Sequence, residues 1–354
     1  MTHIWLRAEA RATERRTPLL PDGAAQLIRD GARITVERST TRVISDAAYS
    51  DAGCDLADTG SWPDAPRDAI ILGLKELPDS DAPLTHRHIF FAHAYKGQPG
   101  AIPVLTRFAD GGGTLLDLEY LVDGTGRRVA AFGYWAGYVG AAVSLLVYAA
   151  QKRGTSLDAL NPWADSATMR EDVAGALGSD MPAALIIGAK GRVGMGAADL
   201  FGALNISPTR WDMEETRSGG PFPEVARHEI LVNAVLAMPG VPVFAGPDIL
   251  ATDRALRVIG DVACDPGTPY NPIPLYGDVT SWDAPALRVH GEPPLDIMAI
   301  DNLPSLLPRE ASEEFATALL PHLAALGTDD GGVWARAEET FRAHLSENGL
   351  TTSG

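Results

Sequence analysis

Apolar positions in this chain fall into short runs separated by turn residues, the spacing of a parallel sheet with crossover helices. His3 to Leu6 predicts a strand, Pro21 to Asp30 a helix ended by Gly31, and Arg33 to Glu37 a second strand, which together make a βαβ opening. Further strands are expected at Ala69 to Leu74, His88 to Ala92 and Thr114 to Leu118, divided by Pro- and Gly-rich turns and with fewer helices between them. Val129 to Ala150 then runs without a charge and predicts a long helix, and Gly154 to Asp165 reads as a loop. A polar helix near Ala167 to Leu177 follows. A second, more apolar set of strands is expected at Ala183 to Ile187, Pro208 to Asp212, Ile230 to Val235, Arg257 to Val262 and Asp296 to Ile300. After a turn at Leu303 to Leu307, two helices from about Pro308 close the chain, and this tail is expected to pack on the first domain.

With 354 residues the chain exceeds one ordinary core. The expected division is residues 1–131 with 307–354 against residues 132–306. Val129 to Ala150 is long enough to span a bilayer. Gly133, Gly137 and Gly140, with Tyr134, Trp135 and Tyr138 in its interior and Arg127, Arg128, Lys152 and Arg153 at both ends, favour a buried helix joining two domains. No membrane association is expected. A net charge of −17 and a pI near 4.8 would repel a phosphate backbone, so no nucleic-acid partner is expected either. Cys54 and Cys264 have no metal-type spacing, and no metal site follows. Met1 to Arg16 mixes charges through its apolar residues and forms no secretory signal core, so a cytoplasmic location is expected.

Ala183 to Ile187 runs directly into a glycine turn, Gly188, Gly191, Gly194 and Gly196, and then into an apolar helix to about Leu204. Glycines let the backbone turn sharply and approach a pyrophosphate, which sits against the positive end of the helix. Asp212 ends the next expected strand, where a carboxylate accepts the hydroxyls of an adenosine ribose and repels a 2′-phosphate. Turn and acid together predict NAD as cofactor; the alternative for Asp212 is a helix cap or a solvated loop carboxylate. The fold class expected is α/β, two Rossmann-like doubly wound parallel-sheet domains with a cleft between them.

Lysine occurs only at Lys75, Lys96, Lys152 and Lys190, within a total of 29 lysines and arginines. A chain that uses arginine for generic positive charge keeps a lysine where an amine must be able to lose its proton. Lys75 and Lys96 follow strand ends, as does His93, and carboxyl ends of strands are where open α/β sheets bind ligands. For any one of these residues, the simpler reading is that strand ends are where polar residues begin; the three together point to a site.

At these residues the chain resembles saccharopine dehydrogenase of the NAD-dependent, lysine-forming type, within the wider alanine dehydrogenase and transhydrogenase-like group. The likeness runs through Gly60 to Trp62, Ala65 to Asp68, Gly73 to Glu76, Phe91 to Lys96, Gly126 to Gly133, Asn271 to Pro274 and Leu303 to Ser312. It implies Lys75 as the base towards the substrate amine and His93 as the acid and base of imine hydrolysis. Arg16 is then the substrate-binding arginine, with Phe132 at the substrate, and Lys96 and Glu119 tune the charge of the pocket. Arg128 adds to the cationic surface that three substrate carboxylates require. The loop Ala263, Cys264 and Asp265 lies on the substrate side, although a serine would be expected first. Cofactor contacts implied are Gln98, Arg127, Gly188, Gly191, Arg192, Val193, Gly194, Asp212, Thr216, Leu236, Val262, Ile300, Asp301, Asn302 and Leu303, with Leu236 in the place of an aromatic. A cysteine pair of some members falls on Val193 and Ala234, so that bridge cannot form here.

The expected partners are therefore small molecules, saccharopine or lysine plus 2-oxoglutarate, bound by a monomer. Rival readings are an alanine-type dehydrogenase using ammonia, another opine-type coupling enzyme, and a non-catalytic NAD-binding sensor. The sensor would have no need of the proton-transfer pair Lys75 and His93.

Overall fold

The computed structural model describes residues 1–95, 100–327 and 332–351. The chain divides into two compact units, Met1–Ala131 with Ala311–Gly354, and Phe132–Glu310.

The first unit contains β1 (His3–Leu6), α1 (Pro21–Arg29), β2 (Arg33–Glu37), α2 (Asp46–Asp51), β3 (Asp55–Ala57), β4 (Ala69–Leu72), β5 (Arg87–Phe90), α3 (Ala101–Gly111) and β6 (Thr114–Asp117). Its sheet has the order β3-β2-β1-β4-β5-β6, and every pairing is parallel. The order reverses between β1 and β4, so the crevice-forming switch point lies where Leu6 and Leu72 end. β3 and α2 escape the sequence pattern because they are too short to show a period. α3 was hidden by Pro103, which is tolerated in the first turn because its missing N–H has no helical partner there. The helix buries Ala101, Leu105, Phe108 and Ala109.

The second unit holds α4 (Gly133–Lys152), α5 (Ser166–Leu177), β7 (Ala184–Ile187), α6 (Arg192–Ala203), β8 (Thr209–Trp211), β9 (Ile230–Asn233), β10 (Val258–Asp261), β11 (Leu287–His290) and β12 (Leu295–Met298). Its sheet runs β11-β12-β10-β9-β7-β8, parallel except for the edge strand β11, and reverses between β7 and β9. The chain closes with α7 (Pro308–Ala324), whose first turn contains the division between units, and α8 (Val333–Glu347), which packs Phe341 and Leu345 into the core of the first unit.

The charge-free stretch becomes helical at Gly133 rather than at Val129, because Val129 still bonds to Leu121 in a short hairpin. α4 is long and apolar enough to cross a membrane, yet most of it is buried inside the second unit. Its glycines have a packing role. A methyl group on Gly137 would lie 1.8 Å from the Val193 carbonyl oxygen, and one on Gly196 would lie 1.9 Å from that of Tyr134. Bare backbone on both helices thus lets α4 and α6 touch, and this contact seats the helix that begins at the glycine turn.

Candidate active site

At the switch point of the first unit, the chain leaves β1 as Arg7, Ala8 and Glu9 and leaves β4 as Gly73, Leu74 and Lys75. Glu9 accepts the N–H groups of Leu74 at 2.7 Å and Lys75 at 3.0 Å. Arg7 pairs with Glu9 at 3.3 Å and donates to the Lys75 carbonyl. Burial raises the Glu9 carboxyl pKa, partly opposed by Arg7. Phe91 N–H bonds to the Leu74 carbonyl at 2.9 Å, so the segments carrying Lys75 and His93 leave neighbouring strands side by side.

Glu14 is fully buried and grips Arg16 through Nε at 2.8 Å and Nη2 at 2.5 Å. Burial alone would raise the Glu14 pKa. The Arg16 charge and hydrogen bonds outweigh burial, with a smaller contribution from Lys75, and hold the carboxyl below its usual value. Arg16 directly, and Lys75 more weakly through its charge, thus both act on this one buried carboxylate. His93 Nδ1 stands 3.3 Å from Glu119 Oε2, and His93 adopts φ 52°, a left-handed conformation that a non-glycine residue holds only at a cost.

Behind it, burial pushes the Asp117 carboxyl up to about 6, with the Glu119 N–H and His93 pulling down and the Glu119 charge pushing up. Folded Asp117 thus holds its proton more tightly than the unfolded chain does. Its contribution is present below the ordinary carboxylate pKa and is lost as pH rises through about 6. Asp117→Asn can keep the bond its Oδ1 accepts from Glu119 N–H at 2.9 Å. The variant is expected to lack this pH dependence and to be more stable at pH 8, by at most on the order of 3 kcal/mol. Urea unfolding of both proteins at pH 5 and pH 8 checks this, and an unchanged gap between the two pH values would contradict it.

Arg127 and Arg128 lie exposed on the hairpin closed by the Val122 to Arg128 bridge, whose turn is held by Asp123 accepting Thr125 and Arg127 N–H. Lys96 and Gln98 lie outside the described residues.

In the second unit, β7 ends at the turn read from the sequence. Gly188 has φ 86° and sits under Ala234 and Val235, at the β7 to β9 switch point. A methyl on Gly194 would lie 2.2 Å from the Gly188 carbonyl oxygen. Gly191 caps α6 without a side-chain bond, and the first-turn N–H groups of a helix have no carbonyl partner within it. Asp212, just past β8, accepts the Lys190 N–H at 2.9 Å and the Met213 N–H at 2.9 Å. Burial opposes its ionisation, but these N–H groups and the Lys190 charge hold its pKa below the usual range. Thr216 donates to the Asp212 carbonyl at 3.0 Å and fixes the turn. Met213 and Leu236, exposed at the ends of β8 and β9, offer apolar surface suited to a base. The residues present thus fit a dinucleotide: a bare-backbone turn, a helix N-terminus, an ionised acid and apolar flanks.

Two neighbouring groups of expected contacts are placed differently. Ile300 and Leu303 are almost fully buried in the core, which leaves backbone rather than side chain to offer a ligand, while Asp301 between them is exposed. Cys264 has φ 57° and donates its thiol to the Ala299 carbonyl, which anchors the loop of Ala263 and Asp265 beside Val262. Asp261, Asn233 and Tyr276 form a buried cluster, with Tyr276 Oη donating to Asp261 at 2.6 Å and Asn233 Nδ2 at 2.9 Å, and it ties the ends of β9 and β10 together. Sequence reasoning missed this cluster and Arg7, Glu9, Glu14 and Asp117. For Arg7, Glu9, Asp117 and Asp261 the available signal was a charged residue set at or just past an apolar strand end; Glu14, in the loop before α1, carried none.

Known proteins resemble this chain at very different levels of likeness. The alanine dehydrogenase/PNT N-terminal domain family matches residues 5–139. Saccharopine dehydrogenase (NAD+, L-lysine-forming) of Schizosaccharomyces pombe is 44% identical over 98% of this chain and 99% of its own length. The chain belongs to the lysine-forming saccharopine dehydrogenase family. Another relative of the same name, from Emericella nidulans, is 45% identical over 97% of both chains. A solved L-alanine dehydrogenase, 18% identical, covers 97% of this chain and 93% of its own with a TM-score of 0.65, and shares the fold of two Rossmann-like parallel sheets.

Proposed function

We propose that the chain catalyses the NAD+-dependent oxidation of saccharopine, with water, to L-lysine, 2-oxoglutarate and NADH, and the reverse reaction. The observation that best supports this is the gathering of Arg16, Lys75, His93, Glu14 and Glu119 at the carboxyl end of one parallel sheet, in a member of this family. A glycine turn suited to a dinucleotide ends the strand at the switch point of the other sheet.

Bound NAD+ would supply the acceptor for the hydride that leaves the glutamyl α-carbon with its electron pair. The Gly188 to Gly194 turn and the start of α6 would hold its pyrophosphate, and Asp212 would accept its ribose hydroxyls. Lys75 takes the proton from the secondary amine, so that the nitrogen lone pair can form the C=N bond as hydride departs. His93 then draws a proton from the water that adds to this carbon and gives it to the nitrogen of the resulting carbinolamine; as the C–N bond breaks, His93 takes the remaining hydroxyl proton, leaving the 2-oxoglutarate carbonyl, and passes it to the released lysine amine. Glu119 orients the His93 ring. Arg16, aimed by Glu14, supplies a guanidinium fork for a substrate carboxylate.

The test is NADH oxidation with 2-oxoglutarate plus lysine, run beside pyruvate plus ammonia, and each again with NADPH. Turnover is expected with the first pair and NADH. Turnover with pyruvate and ammonia alone would make the chain an alanine-type dehydrogenase, and none with either pair would make it a sensor.

A further inference from the structure

Lys75 is gripped by its backbone. Glu9 takes the N–H groups of Leu74 and Lys75, one on each carboxylate oxygen, while Arg7 donates to the Lys75 carbonyl and pairs with Glu9. One ion pair from the end of β1 therefore fixes both peptide bonds flanking the proposed base, across the switch point.

The pair is deeply placed, with side-chain exposure of 1% for Arg7 and 7% for Glu9. A buried ion pair loses so much hydration that apolar residues of equal volume commonly stabilise a fold as well or better, so stability alone does not account for it. Its partners do account for it. Gly73, immediately before the gripped segment, has no room for a side chain, because a methyl there would lie 2.4 Å from Arg7 Nε. The space a side chain would fill is occupied by the guanidinium that reaches the Lys75 carbonyl.

Resting on the reaction proposed above, we infer that Arg7 and Glu9 are positioning residues for that reaction: they set the direction in which Lys75 leaves the backbone, and so the place of its amine relative to the substrate nitrogen. Glu9→Gln keeps the size of the side chain but replaces one accepting oxygen with a donor, so one of the two N–H groups loses its acceptor. Arg7→Lys keeps the charge beside Glu9 and removes the planar fork that reaches both Glu9 and the carbonyl.

The experiment measures kcat for saccharopine oxidation and NADH affinity in the wild type, in each single variant, and in each variant combined with Lys75→Met. Misplacing a reacting group by about 1 Å costs on the order of 100-fold in rate. Glu9→Gln is therefore expected to lower kcat by that order and Arg7→Lys by about 10-fold, with NADH affinity changed less than about 2-fold. In the Lys75→Met background both losses are expected to vanish, because a residue that acts through Lys75 has nothing left to position. A loss that persists undiminished in that background is a general structural effect and overturns the inference, as does wild-type kcat in both single variants. If Glu9→Gln does not fold, Arg7→Lys decides by the same comparison. A wild type inert towards saccharopine and NAD+ would instead overturn the proposed reaction.

Discussion

Lys75→Met is expected to lower saccharopine turnover by about 10²- to 10⁴-fold, the range for loss of a positioned general base, while NADH binds as before. Methionine keeps an unbranched side chain of similar length but can neither take nor give a proton. The groups that hold the residue in place, Glu9 on its N–H and Arg7 on its carbonyl, bond to the backbone and survive the substitution. The dinucleotide-type turn belongs to the other unit, so NADH affinity, read by quenching of protein fluorescence, is not expected to move. Wild-type turnover in this variant would remove Lys75 from the chemistry.

Gly194→Ala is expected to have the opposite signature. The added methyl would meet the Gly188 carbonyl oxygen at 2.2 Å and the Ala189 Cα at 2.6 Å. Both are backbone atoms and cannot swing aside, so the turn itself must shift. Overpacking of this kind costs about 1–3 kcal/mol. Here the cost falls on the surface proposed to receive the pyrophosphate, and NADH affinity is expected to drop on the order of 100-fold. Gly202, near the end of the same helix, has nothing among the described residues within 4 Å of its would-be Cβ. Gly202→Ala serves as the control and is expected to leave NADH affinity unchanged while stabilising the fold by about 0.5–1 kcal/mol. Equal NADH affinity in both variants would show that the turn does not carry the cofactor.

The two largest effects fall on features that local sequence made legible. A strand, a glycine turn and a helix follow one another within the segment around Gly188, so short-range pattern suffices to find them. Lys75 stood out because the chain is so sparing with lysine. What pattern could not show is what holds these residues. Glu9 and Leu74 are far apart in sequence and meet only because β1 and β4 pair at the switch point. Asp117 and Glu14 look like ordinary surface acids until burial changes their protonation, upward in one and, through Arg16, downward in the other. The glycines of α4 point to a buried helix, but only the structure shows what they pack against: Gly137 is where α6 makes contact. Short or proline-masked elements such as β3 and α3 carry too little period to be seen without their neighbours.

The most direct test of the central claim follows the hydrogen itself, using saccharopine carrying deuterium on the glutamyl α-carbon. The account predicts that this deuterium appears in NADH, with lysine and 2-oxoglutarate formed in equal amounts to it. Deuterium that stays in the organic product, or lysine released without reduction of NAD+, would contradict it.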